Sequence, residues 1–188
     1  MGLNNEFAKT AYVNARLINP ASDLDSKGSL LVHGKYIEDI GENLNIPAGY
    51  KVIDCNGACI SPGFVDIRVQ IGEPGQEHKE TFSSAGYAAI SSGITTMVCL
   101  PNTDPVIDDM SVVEFVARRA RLLGLTKVFP YGAITKGTKG LEIAELGLLA
   151  KAGAVAFTDG IKALSDAQVM RQALNYAATF NLLIVQHP

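Results

Sequence analysis

The sequence predicts an α/β fold built on parallel strands, and two observations carry that class. From Ser61 onward, short apolar runs alternate with longer amphipathic ones in the order strand, helix, strand, helix. Before Ser61 the apolar runs are short and are broken by Gly, Pro and Asn, the pattern of β-hairpins. The chain therefore divides into a β segment over 1–60 and a βα-repeating segment over 61–188. Repeated βα units imply parallel strands, right-handed crossovers and helices packed outside them. On pattern alone two architectures stay open. An open five-stranded sheet of the flavodoxin type would be complete by residue 188, whereas a closed eight-stranded barrel typically needs about 250 residues. The pattern by itself leans to the open sheet.

Taken in order, the strands of the first segment are expected at 11–13, 16–18, 29–32 and 36–41, the last following a turn at His33-Gly34. His33 reads as a solvated turn residue. In the second segment strands are expected at 64–69, 95–100, 127–131, 154–158 and 182–186, with helices at 77–92, 111–123, 141–152 and 166–180. Ser111 with Glu114 and Ser165 with Gln168 have capping-box spacing. Val112, Phe115, Val116, Arg119 and Leu122 share one helical face, as do Val169, Ala173, Leu174 and Ala177. Gly124 and Gly153 stand where a left-handed cap closes a helix.

The chain is organised around Pro62-Gly63-Phe64-Val65-Asp66-Ile67-Arg68-Val69-Gln70. In a regular strand Asp66, Arg68 and Gln70 share one face and Val65, Ile67 and Val69 the other. Three polar side chains aimed one way mark a lined cavity. Catalytic groups of a parallel barrel project from the carboxyl ends of its strands, and Asp66, Arg68, Gln70, Asn102, Asp159 and His187 all fall at or just past such ends.

Composition excludes several classes. With 47% hydrophobic and 19% charged residues, the chain can bury a sizeable core. A net charge of -3 gives no basic stripe for nucleic acid. The N-terminus lacks the basic start and apolar run of a signal peptide, and no stretch approaches a membrane span, so a cytoplasmic setting is expected. Three cysteines fit reduced thiols better than a disulfide framework, and Cys55 and Cys59 read as small buried hydrophobes in a strand. The run from Gly132 to Lys139 looks like a phosphate-binding loop but ends Thr-Lys where Lys-Thr is needed. His78 with Lys79 and Glu80 reads as the surface start of a helix.

The segment Pro62–Gln70 resembles the opening of the barrel in dihydroorotases, members of the amidohydrolase superfamily. The resemblance continues through Glu73-Pro74-Gly75, His78-Lys79-Glu80, Gly93-Ile94-Thr95-Thr96 and Val98-Cys99-Leu100-Pro101-Asn102-Thr103. It implies that the strands after Ser61 are the first five of a (β/α)8 barrel and that 1–60 belongs to a small β-sandwich completed from a distant C-terminus. It further implies a chain truncated after its fifth strand, with an unpaired edge that invites another chain, and a homo-oligomer.

Relatives use zinc to polarise a cyclic amide and to deprotonate a bound water. By resemblance Asp159 matches a metal-binding aspartate of a Ser-Asp-Asp-Gly turn whose second aspartate is Gly160 here, His187 matches a metal-binding histidine, and Asn102 matches a substrate-binding asparagine. Arg68 and Gln70 stand in place of a zinc-binding His-x-His pair, and Gly72 in place of an arginine that grips the substrate carboxylate. The general acid and base aspartate falls beyond residue 188, so no catalytic residue is assigned. Zinc needs a lone pair, which Arg68 cannot offer and Gln70 offers weakly. No catalytic zinc is therefore expected, with Arg68 paired to Asp66 or Asp159 and Arg68→Met destabilising. The implied function is an inactive dihydroorotase-like protein of pyrimidine synthesis that partners aspartate carbamoyltransferase structurally. The alternative is an active zinc-dependent dihydroorotase or related cyclic amidohydrolase.

Overall fold

Four parallel strands after Gly63 stand side by side in the order in which the chain makes them: β6 (Phe64–Val69), β7 (Ile94–Cys99), β8 (Lys127–Gly132) and β9 (Ala156–Phe157). An open sheet of the flavodoxin type would reverse direction at a switch point; this one does not. The helices between and after the strands are α1 (Phe82–Ser91), α2 (Met110–Leu123), α3 (Leu146–Ala152) and α4 (Ala167–Thr179). All four bury their apolar sides in one cluster, in which Phe82, Val113, Val116, Leu146, Leu149 and Ala173 meet Met97 and Cys99 of the sheet. The opposite face carries a second apolar layer of Val98, Leu100, Tyr131 and Ala156. Helices on one side and a separate side-chain layer on the other are the arrangement of a barrel wall.

The structure, a computed structural model, describes residues 8–186, and the chain divides into one unit over Met1–Pro62 and another over Gly63–Pro188. The first unit is a five-stranded sheet. Its strands β1 (Lys9–Asn19), β2 (Leu24–His33) and β3 (Tyr36–Gly41) form an antiparallel meander, while β4 (Lys51–Asp54) and β5 (Cys59–Ile60) lie parallel to β1. The expected breaks at 11–13 and 16–18 are one strand, because Asn14 takes a left-handed φ of 55° inside a bulge rather than ending it. Cys59 is exposed and Cys55 half-buried, so neither is the buried hydrophobe expected. The third cysteine, Cys99, is buried, and burial pushes its thiol up to about 12.

Helix starts differ from the sequence reading in an instructive way. The 77–92 helix begins only at Phe82, capped by Thr81 and Ser84, whose side chains satisfy one another's backbone donors. His78 therefore lies in the turn ahead of that helix. At α2 and α4 the carboxylates of Asp109 and Asp166 cap the first turn, not Ser111 or Ser165. Aspartate competes directly with serine for this position, and both candidates stood within two residues of each other. Gly124 and Gly153 do close α2 and α3 in the left-handed region. Leu122 and Leu174, expected on buried faces, are exposed.

Strand β9 has only two residues, and the stretch expected as a fifth strand makes a single parallel bridge, Phe157 to Ile184. At the other edge β6 leaves Phe64, Val65 and Ile67 more than half exposed. Val65 and Ile67 were expected on an apolar face; here, with no strand paired beyond β6 among the described residues, that face is open. No helix among the described residues is long and apolar enough to cross a membrane.

Candidate active site at the carboxyl ends of the strands

Asp159 follows β9 and is 3% exposed. Its Oδ1 accepts the backbone N–H groups of Ile134 (3.0 Å) and Thr135 (2.9 Å), and its Oδ2 accepts the Thr135 hydroxyl at 2.5 Å. The Thr135 Oγ1 accepts in turn from the Gly140 N–H at 2.9 Å. A carboxylate offers about four acceptor directions, and protein donors fill three of them here. The effect is to lock the turn after β9 to the loop after β8.

The same loop disposes of the phosphate-cradle reading. The N–H of Lys136 goes to Glu142 O, that of Gly137 to Asp108 Oδ2, that of Thr138 to Thr135 O and that of Gly140 to Thr135 Oγ1. Amides already paired inside the protein, one of them to a carboxylate, cannot cradle an anion.

Asn102 reaches across from the end of β7 to the same turn. Its Nδ2 donates to Asp159 O and its Oδ1 accepts from Ile161 N, both at 3.2 Å. Gly160 lies between these contacts with φ 72°, and its N–H donates to Thr158 Oγ1 at 3.0 Å. A Cβ at Gly160 would overlap the Asn102 amide. The glycine is thus matched to the asparagine that faces it.

Gly72 is buried in a tight turn, where Gln76 N donates to Gly72 O at 2.6 Å. Any Cβ there would overlap Gln76 O, so the turn as folded has no room for an arginine. Next to it, Glu73 is 5% exposed and accepts from Arg119 Nε at 2.6 Å and from Phe82 N at 2.9 Å. This pair ties the loop after β6 to α1 and α2. Sequence reasoning placed Arg119 on an apolar helical face and gave Glu73 no partner; an arginine at a buried spacing was the signal for a buried carboxylate.

Arg68 departs from expectation. Its guanidinium makes no hydrogen bond or ion pair among the described residues; Asp66 Oδ1 instead accepts the Arg68 backbone N–H at 2.9 Å, and Asp159 is taken by Ile134 and Thr135. The expected ion pair with Asp66 or Asp159 does not form. Nor do Asp66, Arg68 and Gln70 keep strict alternation. Asp66 stands opposite Met97 and Val69 opposite Cys99, so β6 carries an extra residue in that interval. Arg68 lines a cavity of about 80 Å³ with Leu100, Tyr131, Thr158, Gly160 and Val185. Gln70 is exposed, and His187 lies outside the described residues.

The residues described do not fit a zinc centre. No three His, Cys, Asp or Glu side chains gather among them. Arg68 and Gln70 supply no ligand of the kind zinc takes, and Asp159 spends both oxygens on protein donors.

Residues 57–188 match the dihydro-orotase-like family. The chain is 41% identical over 174 residues to the dihydroorotase of Pelobacter propionicus, covering 93% of this chain and 41% of that protein. It is 40% identical over 179 residues to the dihydroorotase of Aquifex aeolicus, covering 95% and 42% respectively. Among solved structures it is similar to the L-hydantoinase (dihydropyrimidinase) of Arthrobacter aurescens, with a TM-score of 0.78 and 22% identity over 96% of this chain and 40% of that one. That likeness is one of fold. The chain spans about two fifths of the length of the curated relatives it matches.

Proposed function

This chain belongs to the dihydro-orotase-like family, and from that premise we propose that it is a catalytically silent member, without zinc, whose role is structural. The observation that carries the proposal is the state of Asp159. The carboxylate that matches a metal ligand is committed to Ile134 N, Thr135 N and Thr135 Oγ1, while Arg68 and Gln70 stand where two imidazoles would be needed. Disturbing even the outer partners of a zinc site costs about 10–100-fold in affinity or activity, so the loss of two ligands removes the basis for activating water. A fixed positive charge at Arg68 adds repulsion toward any cation.

The partner we propose is aspartate carbamoyltransferase, in a cytoplasmic, homo-oligomeric assembly of pyrimidine synthesis. The resemblance to dihydroorotases that lack zinc ligands motivates it. The exposed apolar residues of β6 supply a surface that an assembly would cover. The active alternative, a zinc-dependent cyclic amidohydrolase, would leave Asp159 only the one acceptor direction that Ile134 and Thr135 do not fill, and would need ligands other than Arg68 and Gln70.

The test is to co-express the protein with aspartate carbamoyltransferase and assay the purified material for dihydroorotate hydrolysis. Stoichiometric co-purification without hydrolysis supports the proposal. Turnover of dihydroorotate that tracks this chain, or its failure to associate, overturns it.

A further inference from the structure

The cavity beside Arg68 has a composition of its own. Its walls are Leu100, Val185 and Ile67, and the polar groups facing it are Arg68, Tyr131 and Thr158. Among the described residues no carboxylate or imidazole lines it. The two acids that might have neutralised Arg68 are engaged elsewhere, Asp66 with the Arg68 backbone and Asp159 with Ile134 and Thr135. Thr158 Oγ1 accepts from Gly160 N, and the Gln186 amide donates to Leu164 O. The phenol of Tyr131 makes no hydrogen bond among the described residues, although the residue is only 5% exposed. A cation and an unspent donor therefore face one small, partly apolar space.

We propose that this cavity is a binding site for the carboxylate of a small ligand, gripped by Arg68 and Tyr131 without any metal. A guanidinium presents a planar fork that matches a carboxylate in bidentate fashion. The cavity, about 80 Å³, is small. One cation with a planar fork suits a planar monoanion better than a tetrahedral dianion. Burial raises the Tyr131 phenol above its ordinary value, which keeps it a neutral donor through the physiological range. The site rests on the zinc-free reading above, since Arg68 would confront a metal in the same place.

The test uses acetate as the probe. The Arg68 Nε–H signal of the purified protein is followed by NMR as sodium acetate is added, with sodium chloride at matched ionic strength and inorganic phosphate as controls; zinc is measured on the same preparation. The expected result is a saturable shift with acetate and none with chloride or phosphate. Tyr131→Phe should weaken binding about threefold or more. Arg68→Met should abolish the acetate-induced shift of the Tyr131 ring signals while leaving the dichroism spectrum unchanged. No saturable response to acetate, an equal response to phosphate, or Tyr131 shifts that persist in Arg68→Met would overturn the site. Zinc-free protein that ignores acetate refutes this site alone. Stoichiometric zinc refutes the proposed function, and an acetate response that a chelator removes refutes both.

Discussion

The side-chain amide of Asn102 occupies the space that a Cβ on Gly160 would need, while its two ends bond the backbone on either side of that glycine, at Asp159 O and Ile161 N. Asparagine and glycine are one unit, holding the loop after β7 against the turn after β9. Gly160→Ala should cost about 2 kcal/mol or more, from a left-handed φ and from overlap. In an Asn102→Ala background the overlap is gone and only the backbone penalty remains. Denaturation of the four proteins of this cycle should give a coupling of about 1 kcal/mol; additivity would mean the two residues do not share the site as described.

Asp159 is an anchor, so its replacements should differ by what they leave unpaired. Asp159→Ala strands the buried N–H groups of Ile134 and Thr135 and should destabilise by about 3 kcal/mol. Asp159→Asn keeps an acceptor for those amides and should lose only about 1 kcal/mol. Equal losses, read from urea midpoints, would mean that the negative charge itself matters more than the hydrogen bonds.

How much of this was legible in the sequence depends on which residues one asks about. The parallel βα class, the span of β6 and the glycine caps at Gly124 and Gly153 follow from periodicity and from φ requirements that only local chemistry sets. The order of the strands did not, since it is a tertiary property; the sequential pairing of β6 through β9 excludes the flavodoxin order. At the site, Asn102 and Asp159 were identified by position, but their partners were not. Thr135 was hidden in a run that looked like a phosphate loop, and the bulge between Asp66 and Val69 cannot be read from a pattern that alternates regularly. Arg68 pairs with an acid in the sequence reading because an unpaired buried carboxylate is expensive to keep ionised. Asp159 meets that cost with Ile134 and Thr135 instead, and Asp66 is only half-buried.

Glu73 and Arg119 form the counterpart case. The carboxylate is buried and the guanidinium, at 43% side-chain exposure, covers it from the solvent side. Arg119→Ala should destabilise by about 2 kcal/mol, less than for a fully buried pair because the arginine is partly hydrated. The double variant Glu73→Gln with Arg119→Ala should recover part of that loss. Thermal unfolding of the three proteins checks the ordering.

Asp109 gives a prediction in pH. The Ser111 hydroxyl and N–H hold its carboxyl below the ordinary aspartate range. Because the folded value lies below the unfolded one, its contribution is present above the unfolded value and is lost as pH falls through the folded one. An NMR titration should find Asp109 titrating below the ordinary aspartate value, and in Ser111→Ala the value should rise toward it. No upward movement in that variant would show that the cap contacts do not set the value.

We propose that this chain holds no catalytic zinc, because Arg68 and Gln70 offer no suitable ligand and Asp159 is engaged by Ile134 and Thr135. The most direct measurement is the zinc content of the purified protein by elemental analysis, after incubation with excess zinc and removal of loosely bound metal by gel filtration. The account predicts metal well below one equivalent, unchanged in Arg68→Met. One equivalent or more, retained through filtration and lost in Asp159→Ala, would contradict it.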